Sequence, residues 1–269
     1  MVKYDARYVW FVLYLILILF TVFPVSLPME ISPPSQAAYD FVESLPDGSL
    51  VMCVVEYGGP GVMWHPFAMA LLHQLEIKDV RVVFLCDHLP YVTWIDEVID
   101  DSGYRANREY GVDYVNLGFL AGDEAGAAAL ATDPHGVYVE DYYGNDIDTL
   151  EIMDDFNHAT DIDLVVTIED VGLCMAGFMR QWQEPYGVPL FPHVKTGGYR
   201  SILTFWTAGN IVGGTDGEIG GAMYENLVGR PGKASAVMTT SSVCHFLFVA
   251  MIILGNINYF YKRGKGEVK

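Results

Sequence analysis

The chain begins and ends in apolar segments that bracket a charged middle, and this limits what it can fold into. Val9 to Phe23 reads VWFVLYLILILFTVF and Val243 to Tyr261 reads VCHFLFVAMIILGNINYFY, both without Asp, Glu, Lys or Arg. A helix crossing the hydrocarbon core needs about 20 mostly apolar residues. The second segment meets that length, and the first meets it with its flanks. Basic residues stand outside both: Lys3 and Arg7 before the first, Lys262, Arg263, Lys265 and Lys269 after the second. The positive-inside rule then predicts a two-pass cell-membrane protein with both termini cytoplasmic and the main domain extracytoplasmic. A cleaved signal peptide is the rival for the first segment. Phe23-Pro24-Val25-Ser26-Leu27-Pro28 lacks the small-residue cleavage pattern and favours an uncleaved anchor. His245, Asn256 and Asn258 lie within the second segment, the two asparagines near its inner end.

The organisation expected is an anchor over 1–26, a Pro-rich spacer over 27–36 and an extracytoplasmic α/β domain over 37–196. A Gly-rich helical segment over 197–240, a transmembrane helix over 241–262 and a basic tail over 263–269 complete it. The middle is long enough to bury a core of its own. From Pro28 to Thr240 there are 32 acidic and 9 basic residues, against a net charge of −19 for the whole chain. That field repels phosphate backbones and excludes nucleic acid as a partner. It serves solubility, and it also suits high salt, an acidic medium or a cation-rich surface.

Ser49–Val55, Val80–Leu85, Tyr114–Leu120, Asp163–Ile168 and Val188–Phe191 are continuous apolar runs that read as buried strands. Helical patterns fall between them at Pro66–Leu75, Tyr91–Tyr110, Glu124–Ala131 and Leu173–Gln183. Such alternation predicts a mainly parallel sheet covered on both faces, a Rossmann-like or flavodoxin-like three-layer sandwich. Strand order is not readable from the pattern. Cys53 and Cys86 fall inside strands and read as buried thiols, with a bridge between them as the alternative.

Ligands in parallel sheets gather beyond the carboxyl ends of the strands. The candidate catalytic or cation-binding residues are therefore Glu56, Asp87, His88, Glu169, Asp170 and His193, an acidic rim with two imidazoles fit for a divalent cation or acid–base work. Ordinary loop polarity explains the same residues. The Gly58-Gly59-Pro60-Gly61 loop has neither phosphate-binding spacing. Asp141, Asn145, Asp146 and Asp148 resemble part of a calcium loop without the EF-hand spacing. No GxSxG, HExxH or paired CxxC occurs, and no cofactor is expected beyond the possible divalent cation.

Gly209, Gly213, Gly217 and Gly221 recur every fourth residue. On one helix they would form a smooth glycine-zipper face, with Phe205, Val212, Ile219 and Met223 beside it and Glu218 and Glu225 on the far side. Glycines in a helix cost roughly 1 kcal/mol each, so the face must pack closely on something or the segment is a loop. Asp216, between the stripes, should be partly buried with His245, Lys195 or Arg200 as donor. The expected function is a non-enzymatic subunit of an oligomeric or multi-subunit membrane complex. It would meet itself or other membrane subunits through this helix and the transmembrane helices. A membrane-tethered hydrolase or metal-dependent enzyme using the strand-end rim is the alternative, and a small-ligand sensor the third. Tyr110 to Gly118 (YGVDYVNLG), the Gly220-Gly221-Ala222-Met223-Tyr224-Glu225 run and the anchor containing Gly255-Asn256 together resemble an uncharacterised prokaryotic family of membrane-anchored proteins. That resemblance implies the two-anchor layout and no activity.

Overall fold

The computed structural model describes residues 6–23, 27–56, 64–169 and 173–266. Each apolar run becomes a strand: β1 (Leu50–Glu56), β2 (Arg81–Cys86), β3 (Tyr114–Phe119), β4 (Leu164–Glu169) and β5 (Leu190–Val194), with a short β6 (Thr215–Asp216) not anticipated from sequence. All pairings are parallel, in the order β3-β2-β1-β4-β5-β6. Chain direction along the sheet therefore reverses between β1 and β4. This is the doubly wound arrangement, in which a crevice opens where the order switches.

The helices are α1 (Ala6–Val22), α2 (Pro33–Ser44), α3 (His65–Ile77), α4 (Thr93–Ser102), α5 (Tyr104–Asn107), α6 (Asp123–Thr132), α7 (Pro134–Val137) and α8 (Glu151–Asp154). They continue as α9 (Leu173–Phe178), α10 (Glu184–Tyr186), α11 (Tyr199–Thr207), α12 (Gly217–Leu227) and α13 (Lys233–Gly264). Alternate strand residues feed two cores. Leu50, Met52, Val54, Val83, Leu85 and Val165 pack with α6 and α9. Val51, Cys53, Val55, Val82, Val166 and Phe191 pack under α3, α4 and Tyr224 of α12.

Several expectations need correction. The spacer gives way to helix at Pro33, because the Ser32 side chain caps α2 and two prolines occupy its first turn, where a missing N–H costs nothing. The single helix expected over Tyr91–Tyr110 is broken at Gly103, whose φ of 76° ends α4 in the left-handed region. The Gly-rich stretch is not one helix: α11 stops at Thr207, a loop and β6 follow, and α12 starts at Gly217. Gly209 (φ 81°) and Gly217 (φ 48°) hold left-handed backbone that a helix interior excludes. All four cysteines are free.

The chain ends also differ from expectation. Among the described residues, only α13 is long and apolar enough to cross a membrane. At 17 residues, α1 spans about 25 Å, short of the ~30 Å hydrocarbon core. It lies beside α13: Leu17 and Thr21 share a groove with Val237, Thr240 and Ser241. Leu27 N–H donates to Thr239 Oγ1 at 3.3 Å. Within α13, the Asn256 amide donates to the Ile252 carbonyl at 2.9 Å, which satisfies one of its two donors.

The base of α13 is fixed to the domain by Glu225, a residue expected on an outer face but only 3% exposed. Its carboxylate accepts from the backbone N–H groups of Gly232 (2.9 Å), Ala234 (3.1 Å) and Ser235 (2.7 Å). These are the orphan donors of the first turn of α13.

Candidate functional site

The carboxyl ends of β1, β2 and β4 and the start of α9 bring four acidic or sulfur side chains together on one face of the sheet. Glu56 and Glu169 are register partners on adjacent strands. By pleat parity Glu56 follows Met52 and Val54, and Asp87 follows Val83 and Leu85, all on the face covered by α6 and α9. The chain leaves β4 and returns as α9. There Cys174 N–H donates to Glu56 Oε2 at 3.0 Å and Met175 N–H to Glu169 Oε2 at 2.8 Å. The Cys174 thiol hydrogen-bonds to the Asp87 carboxyl. Candidate ligand atoms of Glu56, Asp87 and Cys174 all lie within 4.8 Å of one another.

Glu56, Asp87 and Cys174 line one wall of a cleft of about 440 Å³, with His88, Asp123, Glu124, Phe178 and Arg180 around it; the buried Glu169 is not part of the lining. Arg180 is held at the rim by Glu124, with Nε 2.8 Å from Oε1. Asp123 opens α6 at φ 48°, directly after Gly122 at φ 96°. A non-glycine residue in that region stores of order 1 kcal/mol, and such strain gathers at functional sites.

Electrostatics follow from burial. Glu169 is fully buried, and its Oε1 has no hydrogen-bond partner. Desolvation, with the charges of Glu56 and Asp87 adding, pushes its carboxyl up to about 8 against the N–H bond from Met175. Burial and the neighbouring Glu56 push Asp87 up to about 7. Asp87 Oδ1 is also buried without a hydrogen-bond partner. Burial drives the Cys174 thiol well above the usual thiol range. Crowded carboxyls in a low dielectric resist simultaneous ionisation.

The sequence-derived rim divides. Glu56, Asp87, His88 and Glu169 converge, whereas Asp170 and the Gly58-Gly59-Pro60-Gly61 loop lie outside the described residues. His193 does not belong. It follows Phe191 in parity and points to the opposite face, stacked on Phe67 at 4.1 Å with Nδ1 2.8 Å from Thr215 Oγ1. It is a fully buried core histidine. Cys174, Glu124 and Arg180 were missed. For Cys174 a signal existed: it stands a few residues beyond an acidic strand end.

The glycines of the fourfold repeat serve contacts within the chain. A Cβ on Gly213 would meet Ala38 N at 2.3 Å, one on Gly217 would meet Thr196 Oγ1 at 2.0 Å, and one on Gly221 would meet Ala234 Cβ at 3.3 Å. At Gly209 a Cβ would meet nothing within 4 Å. Burial raises the Asp216 carboxyl, and its donors are the backbone N–H groups of Gly197 and Tyr199 rather than a basic side chain. The calcium-like loop is held by its own hydrogen bonds. Asp141 is buried and accepts from Tyr110 Oη (2.6 Å), Tyr143 N (2.8 Å), Asn145 N (2.8 Å) and Asn145 Nδ2 (2.8 Å).

A second set, His65 with Glu97 and Asp101, has its ligand atoms similarly close, with His65 Nε2 3.0 Å from Asp101 Oδ2. Both of its carboxylates are solvent-exposed.

In comparisons with known proteins, no family model, no curated protein and no solved structure matches this chain.

Proposed function

We propose that this is a membrane-anchored α/β protein whose strand-end cleft binds a cationic ligand, either a metal ion or an organic amine. The observation that carries the reading is the convergence of Glu56, Asp87 and Glu169 at the point where strand order reverses, with two of their buried oxygens unpartnered. Buried unpaired carboxyl oxygens are costly, and a cation is the ligand that relieves that cost. The acidic middle of the chain favours cation entry. The subunit reading ranks behind it, because the glycine contacts that suggested an outside partner are made within the chain.

For the anchor, the reading is a hairpin of α1 and α13 with the α/β domain opposite its basic ends. Arg7 opens α1, and Lys262 and Arg263 close α13, so these basic residues stand at the ends of both helices away from the domain, as the positive-inside rule expects of two cytoplasmic ends. A catalytic form of the reading rests on Asp87. A carboxyl pushed up to about 7 on the wall of an open cleft is suited to moving a proton near neutral pH.

The test is thermal unfolding of the full chain in detergent with Zn²⁺, Mn²⁺ or spermidine added singly. At least one should raise Tm saturably in the wild type. The double variant Glu56→Gln, Asp87→Asn should abolish that rise. No rise with any of the three would refute the reading.

A further inference from the structure

Resting on that reading of the cleft, we infer that its ligand is a thiophilic divalent metal ion of the zinc class, held by the carboxylates of Glu56 and Asp87 and the sulfur of Cys174. The three come from the ends of β1 and β2 and the first turn of α9, and their candidate ligand atoms already lie within 4.8 Å of one another. Ligands on a tetrahedral zinc stand about 3.6 Å apart, given bonds of 2.0–2.3 Å. Side-chain shifts of about 1 Å would therefore close the set around an ion. Glu169, on the same face beside Glu56, supplies the independent sign of a ligand: it is fully buried with Oε1 unpartnered. Two oxygens alone would suit magnesium or calcium, but the sulfur discriminates against both and selects a softer ion. Three protein ligands leave a tetrahedral ion one open position, the pattern of sites that bind a further molecule rather than of closed structural sites. On binding, the Cys174 thiol gives its proton to solvent and bonds as thiolate.

The backbone is arranged to support this. Cys174 N–H holds Glu56 Oε2, which fixes one carboxylate and the sulfur-bearing residue to each other before any ion arrives. Met175 N–H does the same for Glu169. Hydrogen bonds of this kind orient ligands and are worth about 10–100-fold in metal affinity.

The experiment uses the full chain in detergent, reduced, stripped with chelator and titrated with Co²⁺ as a spectroscopic probe and with Zn²⁺ against a chromophoric chelator. One equivalent of Co²⁺ should bind with a thiolate-to-metal charge-transfer band that Zn²⁺ abolishes. Cys174→Ser should remove the band and weaken Zn²⁺ by about 100-fold or more. Cys244→Ser, whose cysteine lies on α13 away from the cluster, should change neither. Far-ultraviolet circular dichroism of each variant separates a lost ligand from a lost fold. An unchanged band in folded Cys174→Ser, or no Co²⁺ and Zn²⁺ binding by the wild type, would overturn the metal assignment. If spermidine still stabilises the wild type through Glu56 and Asp87, the cleft reading survives that failure. If neither metal nor amine binds, both fall.

Discussion

Removing the Glu225 carboxylate tests whether the long apolar helix is held to the domain by one side chain. Glu225 is buried and accepts from three backbone N–H groups at 2.7–3.1 Å. A hydrogen bond to a charged group contributes about 1.5–3 kcal/mol, and an abandoned buried donor costs about 1–3 kcal/mol. Water entering the space left by Glu225→Ala recovers part of this, so the expected loss is about 3–5 kcal/mol. Glu225→Gln keeps one acceptor oxygen but turns an amide donor toward N–H groups and removes the negative charge from a helix N-terminus. It should cost less, about 1–3 kcal/mol. For a domain of this size 1 kcal/mol moves Tm by about 2–4 °C, so Glu225→Ala should lower it by about 10 °C. Differential scanning fluorimetry of the detergent-solubilised full chain reads this, and limited proteolysis between Val228 and Lys233 should accelerate in the same order. A Glu225→Ala Tm within about 2 °C of wild type would refute the argument, because it would mean the three donors are satisfied equally well by solvent.

Other outcomes follow from the same structure. In chelator, Glu169 holds its proton more tightly folded than unfolded, since its carboxyl rises from 4.5 to about 8. Its contribution is therefore fully favourable below about pH 4.5 and is lost as pH climbs through about 8; Glu169→Gln should flatten that fall and add about 3 kcal/mol at pH 7, read from urea melts at pH 5 and 8. Gly213→Ala forces a Cβ into the α2 backbone and should destabilise by about 1–3 kcal/mol, as thermal melts report, and an unchanged Tm would remove the close-approach argument. His193→Gln should leave Co²⁺ and spermidine binding unchanged, because His193 faces the other core; weakened binding in a folded variant would put it back in the site. A cysteine placed at Asp47 should react with a membrane-impermeant maleimide in intact cells, and protection there with reaction only in inverted vesicles would reverse the topology.

The strands were legible because buried parallel strands are written as uninterrupted apolar runs, and β1 to β4 lie within a residue or so of where those runs place them. Strand order was not, since the crossovers that set it depend on which helix covers which face. Half of the candidate site was readable by parity alone. Counting in twos from Val54 to Glu56 and from Phe191 to His193 puts the glutamate and the histidine on opposite faces. The rim of strand ends was too broad as a set of neighbours, since Glu56, Asp87, His88 and Glu169 converge and His193 does not. The glycine repeat misled for a different reason. A period of four on paper does not distinguish a helix face from a turn, a loop and a helix start that each need a glycine. Gly209 and Gly217 serve backbone conformation, while Gly213 and Gly221 serve close approach.

The cluster has a cost that the fold alone does not require. A strand end that meets an overlying helix needs an acceptor for that helix's free N–H groups, and one oxygen per N–H suffices. Glu169 does this for Met175 and Glu56 does it for Cys174, each with one oxygen. Capping therefore accounts for Glu56 Oε2 and Glu169 Oε2. It leaves Glu169 Oε1 buried with nothing to bind, and it gives no reason for Asp87, whose Oδ1 is buried in the same state beside them. A serine or asparagine at these positions would cap as well without crowding acids into a low dielectric. What capping leaves over is the carboxyl of Asp87 and a thiol on the wall of an open cleft, with a buried oxygen of Glu169 on the strand beside Glu56. Their common chemistry is affinity for a cation.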